Sequence, residues 1–130
     1  MTLPDPIVAL RHRPPAVLVE RVVERTGTRL TASAAHAGWS WPQLLEGCAQ
    51  AAGLLAGTQA DGLGSDAVIA EYAATSVHVL QHEGAPRFTA WIDRRVLGFW
   101  RCRIEARAAD GTLLLDGHVT LAPPVGPEAS

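Results

Sequence analysis

Two residues in the first half of the chain have side chains suited to proton transfer, Glu46 and His36. Histidine titrates near neutral pH and can act as a general base. A carboxyl group in apolar surroundings has a raised pKa, which lets it keep a proton for donation. The pair therefore predicts general acid–base chemistry. Each residue has a plainer alternative: Glu46 as an ordinary polar residue of a helix, and His36 as a loop histidine bonded to the backbone.

The segment that must position Glu46 runs from Ser40 to Gly57 and has the pattern of one largely buried helix. Ser40 and Gln43 have the spacing of a capping box, and Pro42 falls in the first turn, where a missing N–H loses no intrahelical bond. Leucines, alanines and a cysteine make most of the circumference apolar. A narrower face is polar or small and faces either solvent or a group that requires a carboxylate: Gln43, Glu46, Ala49, Gln50, Gly53 and Gly57.

Strands are predicted on both sides of this helix, at residues 16–25, 29–35, 67–80, 87–98, 99–108 and 112–122. Phe99–Ala108 alternates apolar and polar side chains, which is typical of an antiparallel strand with one face in water. Asp110-Gly111 is the hairpin turn that follows it. A sheet must cover its apolar face, and only one helix is available. The sheet is therefore expected to curl around that helix, in the α+β arrangement called the hotdog fold.

Length and composition are those of one globular domain, residues 1–130, with an irregular arm at 1–15 and a loose tail at 123–130. A net charge of −2 and the lack of a basic tail argue against nucleic-acid binding. We expect no membrane span and no secretory signal. The two cysteines lack the spacing of metal ligands and no H-x-x-x-H pair occurs, so we expect no metal and reduced thiols, as in a cytoplasmic protein.

Three segments, in the same order along the chain, resemble motifs of one enzyme family. Residues 11–22, RHRPPAVLVERV, look like an opening PHR-x-P…LLVDRV, and residues 45–53, LEGCAQAAG, are similar to a helix motif E-x-x-AQAAG. Residues 97–100, LGFW, match its last strands together with the hairpin that follows. The family is that of the β-hydroxyacyl-acyl-carrier-protein dehydratases of fatty-acid synthesis, with their relatives in polyene and polyketide clusters.

The segment before the helix departs from this family. The motif G-H-F-P-x-x-P-x-x-P-G is missing, and residues 34–42, AAHAGWSWP, stand in its place. His36 is the only histidine there, and it lies closer to Glu46 than the family's catalytic histidine lies to its acid. In this respect the chain is more similar to divergent, accessory members of the family found in aryl-polyene-type pigment clusters.

The resemblance implies an activity, a site and a partner. The activity is dehydration of a carrier-bound 3-hydroxyacyl thioester, which removes a proton from C2 and hydroxide from C3 without a cofactor. Glu46 is the catalytic candidate with His36 as its partner, and Gln50, Trp39 and Trp41 are candidates for substrate binding. The implied partner is an acyl-carrier protein.

Four arginines form a candidate docking surface for that carrier. Arg101 and Arg103 share the polar face of one predicted strand, and Arg94 and Arg95 end the strand before it. Opposite charges on two proteins mainly raise their encounter rate, so an acidic carrier fits this cluster. The alternative is the solvated face of an antiparallel sheet.

The curled sheet leaves an unpaired edge, and such edges are usually paired or covered. We therefore expect a homodimer, which hotdog proteins commonly form, with a heterodimer with another dehydratase-like subunit as the alternative.

Two other functions fit the same fold, which does not by itself decide among them. An acyl-thioesterase needs a carboxylate and water, and it releases a free acid instead of an enoyl thioester. A catalytically silent partner subunit or acyl-binding module is favoured by the altered segment before the helix. Glu46 and Gln50 argue against that last alternative.

Overall fold

The computed structural model describes residues 18–59, 68–96 and 98–122. Its elements are β1 (Val19–Arg25), β2 (Arg29–Ala34), β3 (Trp39–Ser40), α1 (Trp41–Gly57), β4 (Val68–Val77), β5 (Gln81–His82), β6 (Arg87–Val96), β7 (Phe99–Arg107) and β8 (Leu113–Ala122). Six of these strands form one antiparallel sheet in the order β1-β2-β6-β7-β8-β4, and β3 pairs with β5. The predicted sheet curled around a helix is confirmed. The predicted arm at 1–15 and tail at 123–130 lie outside the described residues.

Helix α1 forms where the sequence pattern predicts it. Ser40 is its N-cap residue, and Gln43 Oε1 accepts the backbone N–H of Ser40 at 2.9 Å. At the other end, Thr58 Oγ1 donates to the carbonyl of Leu55 at 2.7 Å, which satisfies a carbonyl that the helix itself leaves free. The apolar side of the helix is fully buried, at Leu44, Cys48, Ala51, Ala52, Leu55 and Ala56. α1 is therefore the core helix that the pattern predicts.

The narrow polar face of α1 is only partly turned to solvent. Ala49 and Gln50, which lie on it, are each only 3% exposed. Gln50 Oε1 accepts the backbone N–H of Leu18 at 2.7 Å, so this side chain connects the residue before β1 to the middle of the helix. Glu46, one turn earlier on the same face, is half-buried.

Strand β7 has the predicted alternation, with four fully buried side chains on the inner face: Trp100, Cys102, Ile104 and Ala106. Glu105 on the outer face is also buried, at 7% exposure. Arg103 and Arg107 donate to its two carboxylate oxygens at 2.7 and 2.9 Å. Although burial opposes the charged form, these hydrogen bonds and the two positive charges hold the pKa of Glu105 below its ordinary value.

The structure differs from the sequence prediction at the pair β3 and β5. The sequence predicts a loop at residues 35–39 and a turn at 81–86, whereas Trp39 pairs with His82 and Ser40 with Gln81. A strand of two residues has no periodicity to detect, so neighbouring structure and not its own pattern decides it. This pair ties the start of α1 to the segment between β4 and β6.

Strand β4 is an edge of the described sheet and is irregular. Its pairing with β8 shifts between Ala73 and Ser76, and Ala74 has a φ of 52°, a conformation that residues other than glycine rarely adopt. A Cβ on Gly117 of β8 would lie 3.0 Å from the Cα of Thr75, so glycine permits the close approach of the two strands. The large side chains that β4 leaves exposed, by 38, 37 and 38%, are those of Ile69, Tyr72 and Val77.

Candidate functional site

Glu46 lies in the second turn of α1, next to a close contact between the helix and strand β6. The following residue, Gly47, is buried, and a Cβ there would lie 2.5 Å from Cζ of the Phe88 ring. Phe88 is itself fully buried and packs edge-to-face against Trp39, with ring centroids 5.2 Å apart. Glycine at position 47 therefore lets α1 lie directly on β6, which sets the position of the Glu46 carboxyl above the sheet.

The side chain that approaches Glu46 from the sheet is Tyr72 of β4. Partial burial, followed by the charge of Glu46 and hydrogen bonding with it, raises the pKa of Tyr72 to about 12. The phenol therefore keeps its proton at neutral pH. Tyr72 is absent from the sequence prediction. The available signal was that it is the only tyrosine of the chain.

His36 lies in the exposed turn before β3. Its ring stacks on Trp39, with centroids 4.4 Å apart and an interplanar angle of 10°. Its Nδ1 is 2.9 Å from the carbonyl oxygen of Ala37. A carbonyl only accepts, so Nδ1 donates and carries the proton of the neutral ring, which leaves Nε2 as the basic nitrogen. In the described part of the chain these are the contacts of the His36 ring, and Glu46 is not among them.

The three substrate-binding candidates are placed differently from one another. Trp39 is 2% exposed and is held by its indole N–H, which donates to the carbonyl of His36 at 2.6 Å. Gln50 is buried and bonded to Leu18. Trp41, on the first turn of α1, is 39% exposed. Of the three, Trp41 has the side chain that a ligand can reach directly, while Trp39 packs before the helix start and Gln50 connects the middle of the helix to Leu18.

The four arginines of the predicted docking surface are divided by a bulge in β6. The register with β7 shifts between Ile92 and Arg94, so Arg94 lies opposite Arg101 on the outer face. Arg95 lies opposite the buried Trp100, with its guanidinium 5.0 Å from the centre of that ring. Without the bulge, simple alternation along the strand would direct Arg95 to the outer face and Arg94 to the inner face.

Arg94 and Arg101 line a surface pocket of about 340 Å³, together with Val96, Phe99 and Thr120. Neither of these two arginines forms an ion pair within the described ranges. Arg103 is different, since its guanidinium lies 4.4 Å from the centre of the Trp91 ring and also bonds Glu105. The accessible positive charge of the surface is thus concentrated at Arg94 and Arg101.

The two thiols lie in the core. Cys48 and Cys102 are free and fully buried, and burial raises the pKa of both, that of Cys102 to about 12. Within residues 18–59, 68–96 and 98–122, no three histidine, cysteine, aspartate or glutamate side chains are grouped to hold a metal ion. The helix found in those ranges is not long and apolar enough to cross a membrane.

No family model matches the chain, and no curated protein matches its sequence. Solved structures do match. The dehydratase heterocomplex ApeI:P from Xenorhabdus doucetiae is 18% identical with a TM-score of 0.79, over 97% of this chain and 95% of that one. S. sahachiroi AziG is 17% identical with a TM-score of 0.63, over 79% of this chain and 89% of that one.

A third similar structure is a hypothetical thioesterase from Streptococcus pneumoniae TIGR4, solved with coenzyme A. It is 11% identical with a TM-score of 0.65, over 91% of this chain and 90% of that one. At such identities the likeness is one of fold, and it agrees with the dehydratase-like resemblance of the sequence motifs. This chain has the hotdog fold, which it shares with dehydratases and thioesterases.

Proposed function

We propose that this chain dehydrates a carrier-bound 3-hydroxyacyl thioester to the enoyl thioester. The observation that carries the proposal is the carboxyl group of Glu46, half-buried in the second turn of a core helix. Glu46 also occupies the acid position of the helix motif that resembles the dehydratases. The fold likeness to a dehydratase heterocomplex supports the same reaction class.

In the proposed reaction, Nε2 of His36 accepts the C2 proton of the substrate. Glu46 gives a proton to the C3 oxygen, which leaves as water. Negative charge that develops on the thioester oxygen is stabilised by the positive end of the dipole of α1, near its first turn. Dehydration differs from thioester hydrolysis because it needs a base at C2 and an acid at C3.

We propose that His36 of one subunit acts together with Glu46 of the other subunit across a dimer interface. In its own subunit the His36 ring stacks on Trp39, and its Nδ1 donates to the carbonyl of Ala37. Nε2 is therefore the basic nitrogen. Tyr72, which approaches Glu46, belongs to edge strand β4, so a partner on that edge would come close to the carboxyl. We propose a homodimer. A heterodimer with a second dehydratase-like subunit is the alternative, because the similar ApeI:P structure is a heterocomplex.

An acyl-carrier protein is the proposed source of the substrate. Arg94 and Arg101 are the accessible cations for an acidic carrier, with Arg103 beside them on the same face. Arg95 contributes from the other side of the strand, above Trp100. Long-range attraction of this kind acts on encounter and is weakened by salt.

The decisive experiment is incubation of the purified protein with carrier-bound 3-hydroxyacyl thioesters of several chain lengths, with mass analysis of the products. Dehydration lowers the mass of the acyl group by that of one water and leaves it on the carrier. Release of free acid would instead support the thioesterase alternative, which the likeness to the S. pneumoniae thioesterase favours. Activity only after addition of a second hotdog subunit would support the silent-partner alternative.

A further inference from the structure

The pocket between the ends of β6, β7 and β8 lies on the face of the sheet that is turned away from α1. Its volume is about 340 Å³, and the residues that line it are Arg94, Val96, Phe99, Arg101 and Thr120. Trp100 and Cys102, on either side of Arg101, are fully buried, so Arg101 projects away from the core. The sheet therefore separates this pocket from the helix that carries Glu46.

The polar part of the pocket is one row of residues across three strands. Arg94 of β6 lies opposite Arg101 of β7, and Arg101 lies opposite Thr120 of β8. Residues that face each other in this way have Cβ atoms about 5 Å apart, so two guanidinium groups and a hydroxyl group reach the same space. Guanidinium groups stay charged throughout the physiological pH range. The row thus offers two fixed positive charges and a hydroxyl donor to one ligand.

Two carboxylates at neighbouring positions do not pair with these arginines. Asp93 precedes Arg94 on β6, but its carboxylate lies 3.8 Å from Nε2 of His118. Glu71 of β4 ends the same row, two strands away from Arg101. Among the described residues, neither Arg94 nor Arg101 forms an ion pair. Like charges that face each other repel, and an anion bound between them would remove that repulsion.

The apolar part of the pocket is the next pair along β6 and β7. Val96 and Phe99 face each other and are 45% and 43% exposed. Exposed apolar side chains beside two positive charges fit a ligand that combines an anionic group with an apolar one. The phosphate group of a monoester carries close to two negative charges and three acceptor oxygens at neutral pH. A carboxylate has one charge and two oxygens, so it would leave one arginine uncompensated.

We propose that Arg94, Arg101 and Thr120 bind the phosphate group of a small phosphate monoester, whose organic part packs on Val96 and Phe99. The site lies within the surface proposed for carrier docking, so a bound ester competes with an acidic carrier for the same cations and inhibits turnover of carrier-bound substrate. The binding itself does not depend on dehydration and is measured without carrier or thioester.

Phenyl phosphate is the probe, because its phosphate group and its ring match the two parts of the pocket. Isothermal titration calorimetry at low ionic strength should show saturable binding. Benzoate and methyl phenyl phosphate keep the ring but carry one charge, and each should bind about tenfold more weakly because a charge-assisted hydrogen bond is lost. No saturable binding of phenyl phosphate, or equal affinity for benzoate, would refute the site. Equal affinity for the diester would refute a monoester ligand and point to the phosphodiester of a carrier's prosthetic arm.

The position of the site is tested by substitutions that each remove one part of it. Arg101→Gln should weaken binding of phenyl phosphate by about tenfold, and Thr120→Val, which removes only a hydroxyl group, by less. Phe99→Ala should weaken binding of phenyl phosphate but not of inorganic phosphate, because it removes only the contact with the ring. Arg21→Gln, at an exposed arginine of β1, is the matched control. Equal affinities of folded Arg101→Gln and the unmodified protein would overturn the proposal, and circular dichroism establishes that the variant is folded.

The competition with the carrier is tested by enzyme kinetics. Phenyl phosphate should raise the KM for carrier-bound substrate and leave turnover of a short carrier-free thioester unaffected. Equal inhibition with both substrates would place the ester at Glu46 and refute the outer site, and inhibition of neither would refute the competition. If the unmodified protein dehydrates none of the thioesters offered, the proposed function is refuted, while calorimetry still decides whether the pocket binds the ester.

Discussion

Arg94 lies directly opposite Arg101 across strands β6 and β7, although the register that pairs Ile92 with Cys102 would, without the bulge, put Asp93 in that position. Two like charges on adjacent strands repel each other, and neither has an acidic partner within the described ranges. This arrangement is unfavourable for the isolated fold, and the exposed side chains of Val96 and Phe99 lie beside it. It fits a surface that binds an acidic partner.

Reversing one of these charges should separate stability from activity. Arg101→Glu would place an opposite charge beside Arg94, which should raise the free energy of unfolding by roughly 0.2–1 kcal/mol. It should also slow turnover of carrier-bound substrate and flatten its salt dependence, but leave a short carrier-free thioester almost unaffected. Thermal unfolding and steady-state kinetics measure the two effects. Arg21→Glu, at an exposed arginine of β1, is the control. Equal slowing on both substrates would contradict a docking role.

Replacing either member of the proposed acid–base pair should abolish most of the activity. Glu46→Gln keeps the size of the side chain but cannot give up a proton, and His36→Ala removes the base. Each is expected to lower kcat by roughly 10²–10⁴-fold, with stability close to that of the parent protein. If Glu46→Gln turns over normally, Glu46 is not the acid. If only His36→Ala retains full activity, the base lies elsewhere or comes from a partner subunit. A mixture of the two variants should regain part of the activity if the pair acts across subunits.

Gly47→Ala should disturb both the fold and the site. The added methyl group would overlap the ring of Phe88, which is fully buried and cannot easily move. Overpacking of this kind costs about 1–3 kcal/mol, and it would also move Glu46 away from the sheet. Urea denaturation and kcat measure the two effects. Gly27→Ala is the control, because a Cβ at position 27 meets no atom within 4 Å. Phe88→Leu added to Gly47→Ala should restore part of the loss.

The stability contributed by Glu105 should depend on pH in a defined direction. Its pKa is lowered in the folded protein, because Arg103 and Arg107 outweigh the effect of its burial. Its contribution is therefore fully present above its ordinary value of 4.5 and is lost as pH falls through the lower folded value. Glu105→Gln should be less stable than the parent at pH 7, and the two proteins should converge in acid. Glu20→Gln, at an exposed position, is the control in the same denaturation series. A difference that stayed constant with pH would contradict this account.

Edge strand β4 should control assembly. The proposed dimer would cover Ile69 and Val77, so lysine at both positions should yield monomers in light-scattering measurements. Val96→Lys is the matched control, because Val96 is exposed to a similar degree but lies on an inner strand of the sheet. A monomeric parent protein, or dimers unaffected by the β4 substitutions, would exclude this edge as the interface.

The features that the sequence predicts are those encoded within a single segment. The Ser40 cap and the buried side of β7 around Trp100 follow from short spacings and strict alternation, and both are observed. The proximity of Tyr72 to Glu46 depends instead on the register of β4 with β8 and on the position of α1 above them. The bulge after Ile92 likewise depends on how two strands pair. Features set by pairing between distant segments therefore appear only in the three-dimensional structure.

The irregular backbone of β4 has a consequence for solubility. An exposed, flat edge strand is a template on which further chains add without limit, and this is a common beginning of aggregation. The shift between Ala73 and Ser76, with the positive φ of Ala74, interrupts the regular row of N–H and C=O groups along that edge. Only a neighbour whose own backbone accommodates the same kink can pair along its full length. Mutations that straighten β4 are therefore expected to favour fibrous aggregates over a closed assembly.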